Sequence, residues 1–463
     1  MTIIETGADP MPLTLPQLDF WEEFTFHPDQ PVSTVAHYID IKGDVDEAAL
    51  QRAITQTVKE ADILSARFLS EAEGSAPTQI CDPEFAPQLA LVDLRDRTDA
   101  LAIATELMEQ DLKAKLDLKR DRLSAHMLYR VGDMRYLWYI RAHHIIVDGY
   151  GLALIEQRCA QLYNHFRGAS DAGLPFYSFA SFLQEERRYE QSRQWQTDRT
   201  FWAGYFAKTE GIEILERGDE DYGDARLHGL ISLPPQFGDR LRACAAATEL
   251  GWPDLLTLLS GLYLSANLPG ALNKGTQSLT LWLPFMSRWG SVGAHLPALL
   301  VNILPFRMEV SGKERLSAFL TRSSAELREQ RRHSRFRIEQ ISKDQGLPEG
   351  SRYFFSPLIN VLPFSSPVFD GCTARRNILD SGPADGFNLT FRGEEDGTGL
   401  TLAVDADPSV TSREDFDRHL RDLPDFLKRL LIPEAHDQTI GVLLGTDQPA
   451  SAVLEAAAMR FPY

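Results

Sequence analysis

Cysteine is scarce: Cys81, Cys159, Cys244 and Cys372 are the four in 463 residues, with no CxxC pair and no Cys/His cluster. That excludes a disulfide framework and a zinc site, so no metal is expected, and it leaves the cysteines as reduced, buried small apolar residues. No apolar run approaches the ~18 to 20 residues that span a bilayer. The opening MTIIETGADPMPLTLPQ carries Glu5 and Asp9 and lacks the basic and apolar regions of a secretory signal. A cytoplasmic protein without a membrane partner is expected. Basic residues are also short, 47 Lys plus Arg against 66 Asp plus Glu, a net charge of −19. Nucleic-acid binding needs clustered cations that displace counterions, so this balance argues against such a partner and favours a cationic ligand. Missing too are a GxSxG elbow, a GxxxxGK[ST] loop, a GxGxxG turn and an HExxH helix, the central parts of common hydrolases, nucleotide-binding proteins and zinc proteases.

What remains is an ordinary globular composition, 43% hydrophobic and 24% charged, long enough for two or three domains. Strand-like and helix-like stretches alternate, which favours an α/β or α+β architecture. Strand patterns cover Val35 to Ile41 and Arg135 to Ala142. A helical pattern runs from about Asp46 to Asp62, and another follows Gly151 with Leu152, Ile155, Cys159, Leu162 and Phe166 on one face and Gly168 past its end. A loop-like stretch from Gly168 to Pro175 and a charged run set a lobe boundary near Phe179. The second half loosely repeats the order: HGLISL from His228, one helix containing Leu241, Leu250, Leu255 and Leu258, LTLWLPF from Leu279, three further strand-like segments, and a helix from about Arg413 to Leu431.

The chemistry concentrates in HHIIVDG, residues 143–149, between a strand and a helix, where open sheets place their sites. Neighbouring histidines in extended chain face opposite ways and do not chelate one ion, so one His can face a cavity and the other the protein. A neutral imidazole accepts a proton or hydrogen bond from an attacking amine or hydroxyl. Asp148 would hold the loop by pairing with a distant cation. Gly149 allows a substrate chain close to the backbone, and amides at the helix start would polarise a carbonyl. The bland alternative is two buried histidines followed by a turn.

At these residues the sequence resembles the condensation domains of nonribosomal peptide synthetases, whose motif is HHxxxDG. LTLPQLDFW (13–21), KEADILSARF (59–68), FYSFASF (176–182), PFMSRWG (284–290), VNILPFR (301–307), RHSRFRIEQI (332–341) and SPLINVLPF (356–364) resemble further motifs in the family's order. The likeness extends from about Leu13 to Leu431. Pro16 and the EAD of residues 60–62 depart from the usual pattern and, with the other motifs, point to the branch of vibriobactin-type free-standing amide synthases, with enterobactin-type starter domains next.

The resemblance implies two chloramphenicol-acetyltransferase-like lobes, 1–179 and 180–435, in a V-shaped pseudo-dimer with the active site between them, and 436–463 as a tail or linker. It implies transfer of an aryl acyl group, 2,3-dihydroxybenzoyl in that branch, from the phosphopantetheine thioester of an aryl carrier protein to an amine, there a soluble polyamine, in siderophore biosynthesis. No cofactor is bound directly; the phosphopantetheine arm is the substrate's tether. His144 takes the position facing the acceptor amine and His143 a structural one. Asp148 would bridge to Arg288, while Trp289 and Asn360 would line the cavity, with a core position as the alternative for Trp289. Asp385 would hold a second ammonium of a polyamine or else be an exposed loop carboxylate. The competing functional readings are a domain excised from a larger synthetase that uses an aminoacyl carrier protein, a hydroxyl acceptor with ester formation, and a non-catalytic recruitment module.

Overall fold

In the computed structural model, which describes residues 9–446 apart from 29, 31, 71–75, 210–211, 219–225, 269–277 and 383–384, the aromatic run RYLWYIRAH forms the strand Arg135–His143. It is paired on one side with Thr34–Gly43 and on the other with Ser124–Gly132. Both of its faces are covered, so its apolar residues follow one another without the alternation of a half-exposed strand. The sheet has five strands, in the order Cys372–Ser381, Thr34–Gly43, Arg135–His143, Ser124–Gly132, Leu89–Asp93. The helices Glu47–Glu60 and Gly149–Phe166 contribute Ile54, Val58, Ile155 and Cys159 to a core shared with Val35, Ile39, Trp138 and Ile140.

A six-stranded sheet makes the second lobe, in the order Asn302–Glu309, Ser278–Phe285, Leu358–Pro363, Phe387–Gly393, Thr401–Ala406, Leu227–Ser232. Its central core joins Leu255, Leu259, Leu281, Phe306, Leu389, Val404 and Leu427. The molecule thus has the mixed α/β, two-lobed architecture expected from the sequence. Among the described residues no helix is long and apolar enough to cross a membrane.

Several sequence expectations are corrected. The expected single helix around Leu241 to Leu258 is two, Pro235–Thr248 and Trp252–Asn267. Glu249 takes a left-handed conformation (φ 55°) after the first, and Pro253, which cannot donate to a preceding turn, sits in the first turn of the second. The helix of the HHIIVDG segment begins at Gly149, not after Gly151, because Asp148 caps it and accepts from Gly151 N. Of the four unpaired cysteines only Cys159 and Cys244 are buried; Cys81 and Cys372 are half-buried. Within the expected tail, Ile440 packs into the second core, and 447–463 lie outside the described residues.

Two excursions tie the halves together. The strand Cys372–Ser381 leaves the second half and pairs antiparallel with Thr34–Gly43 of the first sheet. Leu296, Ala298, Leu300 and Phe369 likewise enter the first core.

Candidate active site

The HHIIVDG segment sits where the central strand ends and the capped helix begins. His143 is the last residue of the strand, and residues 144–146 form a turn. This turn gives the two imidazoles opposite environments. His143 is 3% exposed, and its Nδ1 accepts from Ile145 N at 3.0 Å. Burial, and then the neighbouring His144 and Arg141, push its pKa down to about 3, so it is neutral.

His144 is half-buried beside a large cavity. Its Nδ1 lies 2.9 Å from Val147 O, which can only accept. The neutral ring therefore carries its proton on Nδ1 and presents the Nε2 lone pair. Phe20 stacks on the ring (centroids 5.9 Å apart, planes at 21°), and Ser33 O accepts from His144 N at 2.8 Å. On the other side is Gly382: a methyl group there would come within 3.0 Å of His144 Cδ2 and 3.3 Å of Nε2. Its φ of +82° also favours glycine. The imidazole is thus held by packing and, among the described residues, one hydrogen bond at Nδ1, with no partner there for Nε2.

Asp148 borders the cavity but is 3% exposed, and its carboxylate is fully engaged by protein donors. One oxygen accepts from Gly151 N, the other from Leu300 N and Val301 N, each at 2.8 Å, and Arg288 Nη2 donates to both at 2.8 and 2.7 Å. Burial alone would raise its pKa, but Arg288 and the amides of Leu300 and Gly151 outweigh that and hold the carboxyl below its ordinary value. Arg288 also donates to the carbonyls of Gly293, Leu296 and Ala298 at 2.6–2.7 Å, and lies 4.9 Å over the Tyr150 ring. The pair ties the segment 288–301 to the start of the helix Gly149–Phe166. Gly151 makes this docking possible, since a methyl there would lie 2.7 Å from Val147 Cγ2 and 3.1 Å from the Pro297 carbonyl carbon.

Gly149 is the opposite case: a methyl would meet nothing within 4 Å, because this face of the first turn opens on the cavity. The first N–H groups of a helix have no partner within it, so a polarised carbonyl finds donors here.

The cavity, about 2270 Å³, draws its walls from both lobes. Trp289 is 89% exposed and borders it, which removes the core alternative. Asn360 faces it from the second sheet. Asp385 borders it too, but both its oxygens are engaged by Arg352 and one also accepts from Phe355 N. It is neither a free carboxylate for an ammonium nor an exposed loop acid.

Residues the motif reading missed include Phe20, Ser33, Gly382 and a buried cluster behind Leu152. There Glu156, 1% exposed, is paired with His37 Nε2 at 2.7 Å and with Arg376 at 2.9–3.0 Å. Burial raises the Glu156 pKa, but His37 and Arg376 bring it below its ordinary value. A carboxylate at helical spacing between Leu152 and Cys159 was the available signal, since an acid on an apolar face needs a buried partner. Arg376 comes from the strand Cys372–Ser381, so this ion pair fastens the crossing strand to the helix Gly149–Phe166.

A strand-to-helix histidine whose Nε2 has no partner among the described residues, an adjacent open helix start and a cavity between two lobes thus meet at one place. The condensation domain model matches residues 8–443, and the chain belongs to the condensation domain family, whose members are amide-bond-forming acyltransferases of nonribosomal peptide synthesis. The chain is similar to the crystal structure of VibH, an NRPS condensation enzyme: 34% identical, TM-score 0.83, covering 92% of this chain and 100% of that one. It is 26% identical, with a TM-score of 0.80, to a mutant of the starter condensation domain of rhizomide synthetase RzmA in complex with C8-CoA, covering 95% and 97%. Among curated relatives, the dimodular nonribosomal peptide synthase of Bacillus subtilis (strain 168) is 30% identical over 443 residues, and enterobactin synthase component F of Escherichia coli (strain K12) 30% over 386. The matches cover 92% and 82% of this chain but only 18% and 29% of those proteins.

Proposed function

We propose that the chain transfers an aryl acyl group, 2,3-dihydroxybenzoyl or a close analogue, from the phosphopantetheine thioester of an aryl carrier protein to a soluble amine, as a cytoplasmic step of siderophore assembly. The observation that carries this reading is the bare Nε2 of His144 at the wall of a two-lobed cavity. The sequence likeness to vibriobactin-type amide synthases and the similarity to enterobactin synthase component F support the aryl donor. The lobes divide near Phe179, with 372–381 returning to the first.

In this reaction the amine nitrogen attacks the thioester carbonyl, the C–N bond forms and the C–S bond breaks. His144 Nε2 orients the amine and accepts its proton, and the pantetheine sulfur leaves as a thiolate that takes up that proton to become the carrier's thiol, which returns the imidazole to its neutral form. Gly149 leaves room for the arm, and the helix-start amides polarise the carbonyl. Asp148 and Arg288 act through position alone. Trp289 and Asn360 border the substrate space.

A polyamine arrives as a multiply charged cation, while only its uncharged amine attacks. The net charge of −19 raises its concentration near the protein. With Asp385 occupied, the carboxylate suited to the distal ammonium is Asp380, which borders the cavity two residues before Gly382 and has no ion pair among the described residues. Acceptor affinity is therefore expected to weaken as ionic strength rises and the Debye length falls from ~10 Å at 0.1 M to ~3 Å at 1 M. A monoamine of similar length should be a poorer acceptor and less salt-sensitive. Kinetics with both amines across a salt series check this. Equal use of the two at low salt removes the polyamine reading, and exclusive use of an aminoacyl carrier protein favours the excised-domain reading.

A further inference from the structure

The second sheet turns a polar face to the cavity. Along Phe387–Gly393 the alternate residues Asn388, Thr390 and Arg392 face it, flanked by Asn360 and Thr401 on the neighbouring strands. Arg392 differs from Arg352 and Arg376 of this wall and shares with Arg226, which donates to Gly382 O at 3.3 Å, the lack of an ion pair among the described residues. Arg352 is paired with Asp385 and Arg376 with Glu156, whereas the one hydrogen bond of Arg392 among the described residues is to a neutral group, Ser381 Oγ, at 2.7 Å. Asp405 lies beyond ion-pair distance of it and is engaged by His228 at 2.7 Å. Burial pushes the Arg392 guanidinium below its ordinary value, Asp405 pulls it back, and Arg376 adds to the push.

A guanidinium crowded by protein, with five donors and one neutral acceptor, gains from any further oxygen brought to it. Its place in the wall says which reactant brings that oxygen. Ser381 adjoins Gly382, the residue against the His144 ring, so Arg392 stands one hydrogen bond and one peptide unit from the catalytic imidazole's neighbour. A guanidinium only donates and cannot bond an ammonium, so the reactant it meets is one that brings an oxygen. The acyl donor is the reactant with oxygen near the reacting carbon.

We propose that Arg392, oriented by Ser381, is a specificity-determining residue for the donor, and that it hydrogen-bonds a ring oxygen of the acyl group, the hydroxyl ortho to the thioester carbonyl. This rests on the aryl-transfer reading above and adds a residue and a substituent to it. A site built to bond a substrate hydroxyl rejects the analogue that lacks it, because its own buried donors are then left unpaired.

The test compares the 2-hydroxybenzoyl and benzoyl thioesters of pantetheine, with one diamine as acceptor, in wild-type protein, Arg392→Gln and Ser381→Ala. The readout is the ratio of kcat/KM for the two donors within each protein, which cancels any loss of folded enzyme. The wild type should favour the hydroxylated donor, Arg392→Gln should lower that preference about 10- to 100-fold, and Ser381→Ala, which keeps the guanidinium, should lower it less. A ratio that Arg392→Gln leaves unchanged, including equal loss of both donors, overturns the proposal, as does a wild type without preference. If Arg392→Gln does not fold, an unchanged ratio in Ser381→Ala overturns it alone. Wild-type protein that transfers neither acyl group overturns the underlying functional reading, a result distinct from an unchanged ratio.

Discussion

Asp148→Ala and Arg288→Ala should each destabilise the protein by about 3 to 5 kcal/mol, the cost of leaving one member of a buried ion pair unpartnered. Each side chain is 3% exposed, and their nitrogen and oxygen atoms are 2.7–2.8 Å apart. Losing Asp148 also removes the acceptor of Gly151, Leu300 and Val301, and losing Arg288 removes a donor from the carbonyls of Gly293, Leu296 and Ala298, of which the first two keep a backbone partner. The double mutant should be less destabilised than the sum of the singles, since the second substitution removes a charge already stranded. Chemical denaturation of the four proteins gives the coupling. Strict additivity would show that the two residues do not act as a pair.

His144→Ala should behave differently: turnover falls by about 10² to 10⁴, the range for losing a positioned acid or base, with a nearly unchanged denaturation midpoint. Among the described residues the ring makes one hydrogen bond, and it borders open space. His143→Ala should instead cost stability, because it opens a cavity and strands the Ile145 amide that Nδ1 now accepts. Single-turnover kinetics and denaturation on both variants separate the roles. Near-full turnover in His144→Ala would leave proximity and carbonyl polarisation as the whole of the catalysis.

How much of this was legible in the sequence depends on whether neighbouring residues carried it. The strand 135–143 and the helix 149–166 are written in local periodicity, and extended chain implies that the two histidines face opposite ways, while the family resemblance assigned His144 to the cavity and His143 to the protein. The Asp148–Arg288 bridge spans 140 positions, which no periodicity reveals; family resemblance supplied it. The strand Cys372–Ser381 was missed because CTARRNILDS lies at the edge of its sheet, half-exposed and rich in charge, and its identity comes from its partner Thr34–Gly43. Gly382 is read as important only once the fold lays it against His144, and Asp385 only once Arg352 is seen to occupy it. The break at Glu249 to Pro253 was within reach, since Gly-Trp-Pro inside a helical pattern is a stop and a restart.

The most direct test of the central claim, that this chain joins a carrier-bound acyl group to an amine at His144, is a single-turnover reaction followed by mass spectrometry. Aryl-loaded carrier protein at one equivalent, excess diamine and no nucleotide are mixed with wild-type or His144→Ala protein. The account predicts one amide for each carrier thiol released, without ATP, at a rate that the His144→Ala substitution lowers by about 10² to 10⁴. Amide that appears only when free aryl acid and ATP replace the loaded carrier, or a thioester that yields free acid and no amide, would contradict it.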